Sequence, residues 1–440
     1  MFQFQKFLQT FPILIRRRTA TIVGAILLGV VALGFAWAAD AANRSFVGFY
    51  RRHEYAPLFL TPIGLGLIVW ATRKWFPLSR GSGIPQVIVG SDDSRHAIGR
   101  GLISMPVAIF KMIMTVAALF VGASVGREGP TVQVSAAIMA MAHRFMKIDL
   151  TPAVVIAGGA AGVSAAFNTP LAGIAFAIEE LAAAYQQRLA LLAMVAVMVS
   201  GMVSLGLAGD YVYFGAVHQS MPVLISLLIA PIAGLIGGAS GGLFSLAALS
   251  FGETQWKPIA TLRRYPISIA VGCGFLIAVI GVATDGATWG AGYEVAKSLV
   301  EADPQPLWFG PAKFATTLLT MLSGAPGGIF APSLAAGAGI GNLIAYAFPG
   351  QPLGPIVLLG MMGYFVGVVR APLTAVIIIS EMTDSRAMVL PFLITAVLAD
   401  AVSGQICRER LYHGLSKAFR TEPTTKQVPT TPTVKPLNEE

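Results

Sequence analysis

The sequence predicts an all-α, polytopic membrane protein made of two related halves of broken helices. Three observations predict it. Hydrophobic residues make up 55% of the 440-residue chain and charged residues only 12%, where a soluble protein carries roughly a quarter. A core of this size in water would need a far more polar shell, so lipid is the solvent that suits the surface. Many apolar stretches are interrupted by Gly and Pro, and segments 202 residues apart resemble one another.

The first element follows the basic triplet Arg16, Arg17 and Arg18. The apolar stretch 22–39 ends in Ala36-Trp37-Ala38, which mimics a leader cleavage site. It is nevertheless as long as a bilayer span and longer than a usual leader core, so it reads as an uncleaved first transmembrane helix. Further spans are expected near 57–72, 102–123, 189–208, 222–250 and 266–284. Shorter apolar pieces fall at 84–90, 130–142, 153–166, 170–184, 311–322, 331–348, 354–369, 372–382 and 388–403. Many of these cannot cross about 30 Å of hydrocarbon, which needs about 20 residues. Their backbone ends must be satisfied by protein or by an enclosed aqueous path, the pattern of transporters with a site near the midplane. Within 222–250, Gly234, Gly238 and Gly242 recur every fourth position and are expected to pack against a helix of the same subunit. The Thr- and Pro-rich tail 421–440 cannot bury a core and is expected to be a disordered cytoplasmic tail.

Net charge is +9, but the basic residues sit in short clusters between apolar stretches, so they imply cytoplasmic loops and not nucleic acid. Arg408, Arg410, Lys417 and Arg420 near the end, with the N-terminal triplet, place both termini on the cytoplasmic side, in a bacterial inner membrane. Cys273 and Cys407 stand alone, and His53, His96, His143, His218 and His413 lack metal-ligand spacing, so no metal or other cofactor is expected.

The repeat aligns without a gap. VGASVGREGPTV at 121–132 falls on SGAPGGIFAPSL at 323–334, and AAFNTPLAGIAFAIEE at 165–180 falls on GVVRAPLTAVIIISEM at 367–382. Two matches at one offset indicate a duplicated fold. The alignment leaves open whether the halves run parallel or inverted.

Three G-x-x-x-P boxes, GSGIP at 81–85, GREGP at 126–130 and GIFAP at 328–332, each precede an apolar helical stretch. The spacing alone means little, since composition would supply about three by chance. In this context Gly permits a close approach and Pro suits a first helical turn. The free N–H groups of such starts carry partial positive charge. Several of them meeting in a membrane would hold an anion without the tight binding of a Lys or Arg.

Glu128 lies within the second box. A carboxylate in hydrocarbon is costly and functional by default, the bland alternative being a charge that stabilises its own helix start. Its repeat mate is Phe330, so only one half carries the acid, which suits a gate that mimics the anion when ionised and withdraws when protonated. Glu179 and Glu180 end an apolar helix, where neighbours point about 100° apart. Glu179 matches Glu381, which suggests a shared structural role. Glu180 matches Met382, which makes it a candidate proton stop, against the alternative of a solvated boundary residue. Gly122-Ala123-Ser124-Val125-Gly126 and Gly238-Ala239-Ser240-Gly241 resemble serine-hydrolase boxes. The first has no preceding strand, the second has only His413 after it, and no enzyme is expected.

Taken in order, GSGIP (81–85), GREGPTVQ (126–133), AAFNTPLAGIAFAIEE (165–180), SGAPGGIFAP (323–332), RAPLTAVIIISEMTD (370–384) and RLYHGL (410–415) resemble the CLC family of chloride channels and chloride/proton antiporters over roughly 20–420. The resemblance implies a homodimer with one pore per subunit. It also implies two inverted halves, roughly 20–210 and 222–420, with about 18 helices in a transport domain covering 1–420. It implies chloride held by the hydroxyls of Ser82 and Tyr412 and the N–H groups of Ile329 and Phe330, with those of Arg127, Glu128 and Gly129 lining an outer site. It makes Glu128 the gating glutamate and Glu180 the internal proton-transfer glutamate of the antiporters.

Nitrate exchangers of the family have Pro at the position of Ser82, and the fluoride branch departs from GSGIP and GREGP, so chloride is the expected cargo. Channels generally lack the internal acid, so Glu180 favours chloride/proton exchange, with a passive voltage- or pH-gated channel of the same fold as the alternative. The tail is too short for the paired regulatory domains of many members, so nucleotide control through them is not expected.

Overall fold

The computed structural model describes residues 2–181, 187–209, 214–215, 217, 221–253, 257–383 and 385–420. The tail 421–440 lies outside them. Among the described residues there are 19 α-helices and no strand, only an isolated antiparallel bridge between Gly126 and Gly328. The helix boundaries follow local chemistry. Pro occupies the first turn of the helices Pro57–Trp75, Ile84–Asp92, Met105–Phe120, Pro152–Phe167, Pro170–Phe176 and Pro266–Ala283, where a missing N–H costs nothing. Left-handed residues stop three helices, at Asn168, Gly324 and Arg370.

A helix is present at each predicted span, but Met105–Phe120 and Leu192–Leu207 fall among the shorter apolar helices, while Val389–Ile406, expected as a shorter piece at 388–403, is long enough to cross a bilayer. The first helix is Phe2–Tyr50, far longer than 22–39. The polar residues on either side, Arg16 to Arg18 and Asn43 to Tyr50, continue the helix because nothing there breaks it. Pro12–Tyr50, Leu224–Glu253, Pro266–Ala283 and Val389–Ile406 are long and apolar enough to cross a bilayer. Around them Trp37, Phe59, Met202 and Leu224 are exposed, the surface of a multi-pass membrane protein.

The two halves repeat in structure. Met105–Phe120, Glu128–Phe145, Pro152–Phe167 and Pro170–Phe176 correspond to Phe309–Ser323, Phe330–Tyr346, Leu353–Val369 and Pro372–Thr383. Even the strained positions recur: φ is 84° at Gly122 and 76° at Gly324, and 56° at Asn168 and 58° at Arg370. Reciprocal contacts relate the halves. Glu179 accepts from the backbone N–H of Leu373 and Thr374 at 3.1 and 2.7 Å, while Glu381 accepts from those of Leu171 and Ala172 at 3.2 and 3.0 Å. Such reciprocity is the mark of a two-fold axis. Gly126 and Gly328 lie on it and exchange both backbone hydrogen bonds, at 2.8 and 2.7 Å. The chain passes this point in opposite directions, so the halves are inverted, and the helices from Glu128 and Phe330 diverge.

Glycine lets the core helices touch. A Cβ on Gly234, Gly238 or Gly242 would press on Thr395, Ala399 or Ser403, and one on Gly237 or Gly241 on the backbone of Gly363 or Gly367. The helix Val223–Glu253 is therefore wedged between Leu353–Val369 and Val389–Ile406 of the same subunit, as expected of the small-residue run. The first helix and the last described one, Leu411–Arg420, end on one face. Arg16 donates to the Met146 and Lys147 carbonyls, Ser94 to Leu150, Arg100 to Phe419, and Arg420 pairs with Asp92.

Candidate functional site

The three G-x-x-x-P boxes meet at the two-fold axis. Gly327 N–H donates to the Gly81 carbonyl at 3.2 Å, joining the first box to the third, and the Gly126–Gly328 bridge joins the second to the third. A Cβ on Gly129 would sit 2.2 Å from Ser82 Oγ and 3.2 Å from Gly328 Cα, and one on Gly83 2.7 Å from the Gly129 carbonyl. The loops approach so closely that only hydrogen fits at Gly129. The helices starting at Ile84, Glu128 and Phe330 therefore direct their first turns into one volume. Each contributes N–H groups without an intrahelical partner, and the summed partial charge is positive.

Below this point Ser82, Ile329 and Tyr412 line a cavity of about 170 Å³. The Ser82 and Tyr412 hydroxyls are buried and lack a hydrogen-bond partner of normal geometry. Two such donors beside helix starts suit a small anion, since an unmet buried donor costs about 1–3 kcal/mol. The cavity continues past Thr317 and Thr320 to Leu415 and Phe419, on the helix Leu411–Arg420.

Glu128 lies at the same junction, at the start of its own helix. Its side chain is fully buried. Oε1 accepts a hydrogen bond from the Tyr293 hydroxyl, and Oε2 lies over Gly126 facing the first turn of the Phe330 helix. Arg127, the N-cap, turns its guanidinium away from the cavity to Asp40 at 2.8 Å and the Ala36 carbonyl at 2.8 Å, with its cation 5.6 Å from the Tyr293 ring centre. A recess of about 20 Å³ bounded by Asp40, Asn43, Arg127, Ala291 and Tyr293 lies beyond. The site residue Phe330 packs its ring against Phe167, Phe176, Phe365 and Tyr412, filling the place opposite the carboxylate with aromatic surface.

Glu180 lies apart. It sits in a π-helical turn, Ala177–Leu181, and is 3% exposed, so it is not a solvated boundary residue. Such turns are often found at functional sites. Among the described residues neither carboxylate oxygen has a hydrogen-bond partner, and His413 Nδ1 is 3.6 Å away. Tyr412 lies within electrostatic reach of both Glu128 and Glu180. Glu179, one residue before, is instead consumed by the helix start at Pro372.

A family model described as "Voltage gated chloride channel" matches residues 64–404. The chain belongs to the CLC chloride channel and transporter family. It is 30% identical over 415 residues to the H(+)/Cl(-) exchange transporter ClcA of Citrobacter koseri, covering 90% of this chain and 86% of that protein. The fold is similar to that of a slow cyanobacterial Cl-/H+ antiporter, with a TM-score of 0.77 and 22% identity over 92% of this chain and 98% of that one. It is also similar to that of a CLC-type fluoride/proton antiporter, with a TM-score of 0.74 and 22% identity over 90% and 96%.

Within this CLC fold the structure brings Ser82, Arg127, Glu128, Gly129, Ile329, Phe330 and Tyr412 together and leaves Glu180 outside the lining of the Ser82–Tyr412 cavity. Sequence reasoning missed Tyr293, His413 and two buried lysines. Lys111 and Lys313 are wholly buried and 202 positions apart, and each Nζ donates to a glycine carbonyl, Gly81 at 3.1 Å and Gly290 at 2.7 Å. They hold the glycine loops from behind without lining the cavity, whose basic lining residue is Arg80. Gly290-Ala291-Gly292-Tyr293 thus mirrors Gly81-Ser82-Gly83-Ile84, with φ near 65° at both first glycines (66° and 65°). Its offset is 209 instead of 202, which hides it from an ungapped alignment. The lysines kept the offset and were the available signal. For His413 the signal was only its place beside Tyr412.

Proposed function

We propose that the protein is a secondary active transporter that exchanges chloride for protons, with Glu128 as the gate and Glu180 as the internal proton-transfer group. One observation carries the reading: an anion-binding junction of helix starts is closed by a single buried carboxylate, and a second buried carboxylate is reached by a different approach. The name of the relative at 30% identity, an H(+)/Cl(-) exchange transporter, supports the same mode.

Chloride would be held by Ser82 and Tyr412 hydroxyls and by the first N–H groups of Ile329 and Phe330. Ionised Glu128 occupies the outer position offered by the N–H groups of Arg127, Glu128 and Gly129. Protonation removes its charge, its affinity for the helix starts falls, and chloride takes its place. The proton on Glu128 then exchanges with Glu180. Paired chloride and proton flux in reconstituted liposomes tests this. A chloride gradient is expected to drive protons uphill. Glu128→Gln abolishes coupling, and Glu180→Gln stops protons while chloride still passes. Chloride flux with no proton movement in the unaltered protein would establish a passive channel instead. Ser82→Pro is expected to shift preference from chloride toward nitrate by about tenfold, roughly 1.4 kcal/mol.

The same reading places one transport domain over 1–420 in a bacterial inner membrane, as a homodimer. The face bearing Arg16, Arg100, Lys147 and Arg420 is cytoplasmic under the positive-inside rule, so both ends of the described chain lie there.

A further inference from the structure

We infer that His413 is the proton-relay residue that connects the inner aqueous face to Glu180. The inference rests on the reading of Glu180 as the internal proton acceptor. Protons need a route of their own on this side, because Glu180 and His413 are not among the residues lining the Ser82–Tyr412 cavity. His413 supplies one geometrically. Its Nδ1 is buried, has no hydrogen-bond partner among the described residues, and faces Glu180 Oε1 at 3.6 Å. Its side chain is nevertheless 43% exposed, whereas that of Glu180 is fully enclosed. One ring therefore spans the boundary between solvent and the buried acid.

The other charged groups around Glu180 do not serve. Arg410 and Glu179 are its remaining charged neighbours. A guanidinium does not release its proton in proteins. The Glu179 carboxylate is held by three donors, the N–H groups of Leu373 and Thr374 and the Thr374 hydroxyl. On the helix of His413, Lys417 is bonded to Glu409 at 2.7 Å. The Tyr412 hydroxyl lines the anion cavity. Imidazole is the side chain that takes and gives protons near neutral pH, through two distinct nitrogens.

The transfer balances simply. A hydronium ion gives its proton to Nε2, leaving water and an imidazolium. The Nδ1 proton moves to Glu180 Oε1, leaving neutral imidazole and a carboxylic acid. With the ring turned about its Cβ–Cγ bond so that Nδ1 meets water, a hydronium ion protonates Nδ1 and the Nε2 proton returns to water as hydronium, which restores the starting tautomer with no net proton consumed. Reversing the steps carries a proton outward.

The test is paired chloride and proton flux in liposomes for the unaltered protein, His413→Gln, His413→Asn and Glu180→Gln, each with and without imidazole on the side that His413 faces. Both His413 variants are expected to lose proton flux by about tenfold or more, as removal of a positioned proton carrier does. They should keep chloride passage, which also shows that they are folded. Imidazole should restore their proton flux and leave Glu180→Gln unchanged. A purely structural role for His413 would not respond to imidazole. Unchanged proton flux in both variants, or loss that imidazole does not restore, overturns the relay and leaves the antiport reading standing. Absence of proton movement in the unaltered protein overturns the antiport reading itself, and the relay with it.

Discussion

Glu128 is held by residues from both halves of the chain. The backbone that positions it belongs to the first half, while Tyr293, which donates to its carboxylate, belongs to the second. A hydrogen bond to a charged group contributes about 1.5–3 kcal/mol. Tyr293→Phe should therefore free the gate and raise chloride turnover by about tenfold, with the chloride-to-proton ratio unchanged, since the ring still fills its place. A flux assay at several pH values checks this. Gly129 is a second critical position. A methyl there would lie 2.2 Å from Ser82 Oγ, so Gly129→Ala should displace the Ser82 loop. Chloride binding measured by calorimetry should fall by tenfold or more, about 1.4 kcal/mol, while the protein stays folded.

The helix Leu411–Arg420 is an element with two jobs. Tyr412, Leu415 and Phe419, spaced as one helical face, line the anion cavity, while His413 faces Glu180. One short helix thus presents Tyr412, Leu415 and Phe419 to the cavity and His413 to Glu180, and under the proposed exchange it would keep the two ions apart. Two other elements, the helices at Pro170 and Pro372, have their free N–H groups capped across the two-fold axis by Glu381 and Glu179. Losing a cap leaves donors unmet at about 1–3 kcal/mol each. Glu179→Ala, which strips three donors, should lower the thermal midpoint of purified protein more than Glu381→Ala, which strips two. Neither should change ion selectivity. The reverse order would separate the caps from stability.

For the whole molecule, inversion places like chemistry on opposite sides of one junction. Gly81 and Gly290 mark its two approaches, each held by a buried lysine. The first approach carries Ser82 and the other Ala291, and the second box has Glu128 where the third has Phe330. The duplicated frame is symmetric and the chemistry is not, which is what a directional carrier needs. The inverted arrangement with both ends on one face makes a topological prediction. Single cysteines at Arg16 and Arg420 should label from the same side of sealed, oriented vesicles, and one at Glu301 from the other. Much of this frame was legible. The starts at 128 and 330 followed from Gly-x-x-x-Pro, and the small-residue run at 234, 238 and 242 followed from spacing, because both are local requirements of backbone geometry. Tyr293 was hidden by the shift from 202 to 209, and His413 by the fact that nothing in its neighbourhood along the chain mentions Glu180.

Sequence alone established a membrane-embedded, duplicated, all-helical chain with unpaired helix starts and an acid in one of them. Composition sets the solvent, and local backbone chemistry sets where helices begin. The tertiary structure was required for the rest: the reciprocal caps that relate the halves, the hydrogen bond from Tyr293 to Glu128, and the placing of Tyr412 at the cavity and His413 against Glu180 on the helix Leu411–Arg420. Those depend on contacts between residues far apart in the chain, where burial and a few ångströms determine which donors and acids are left without partners.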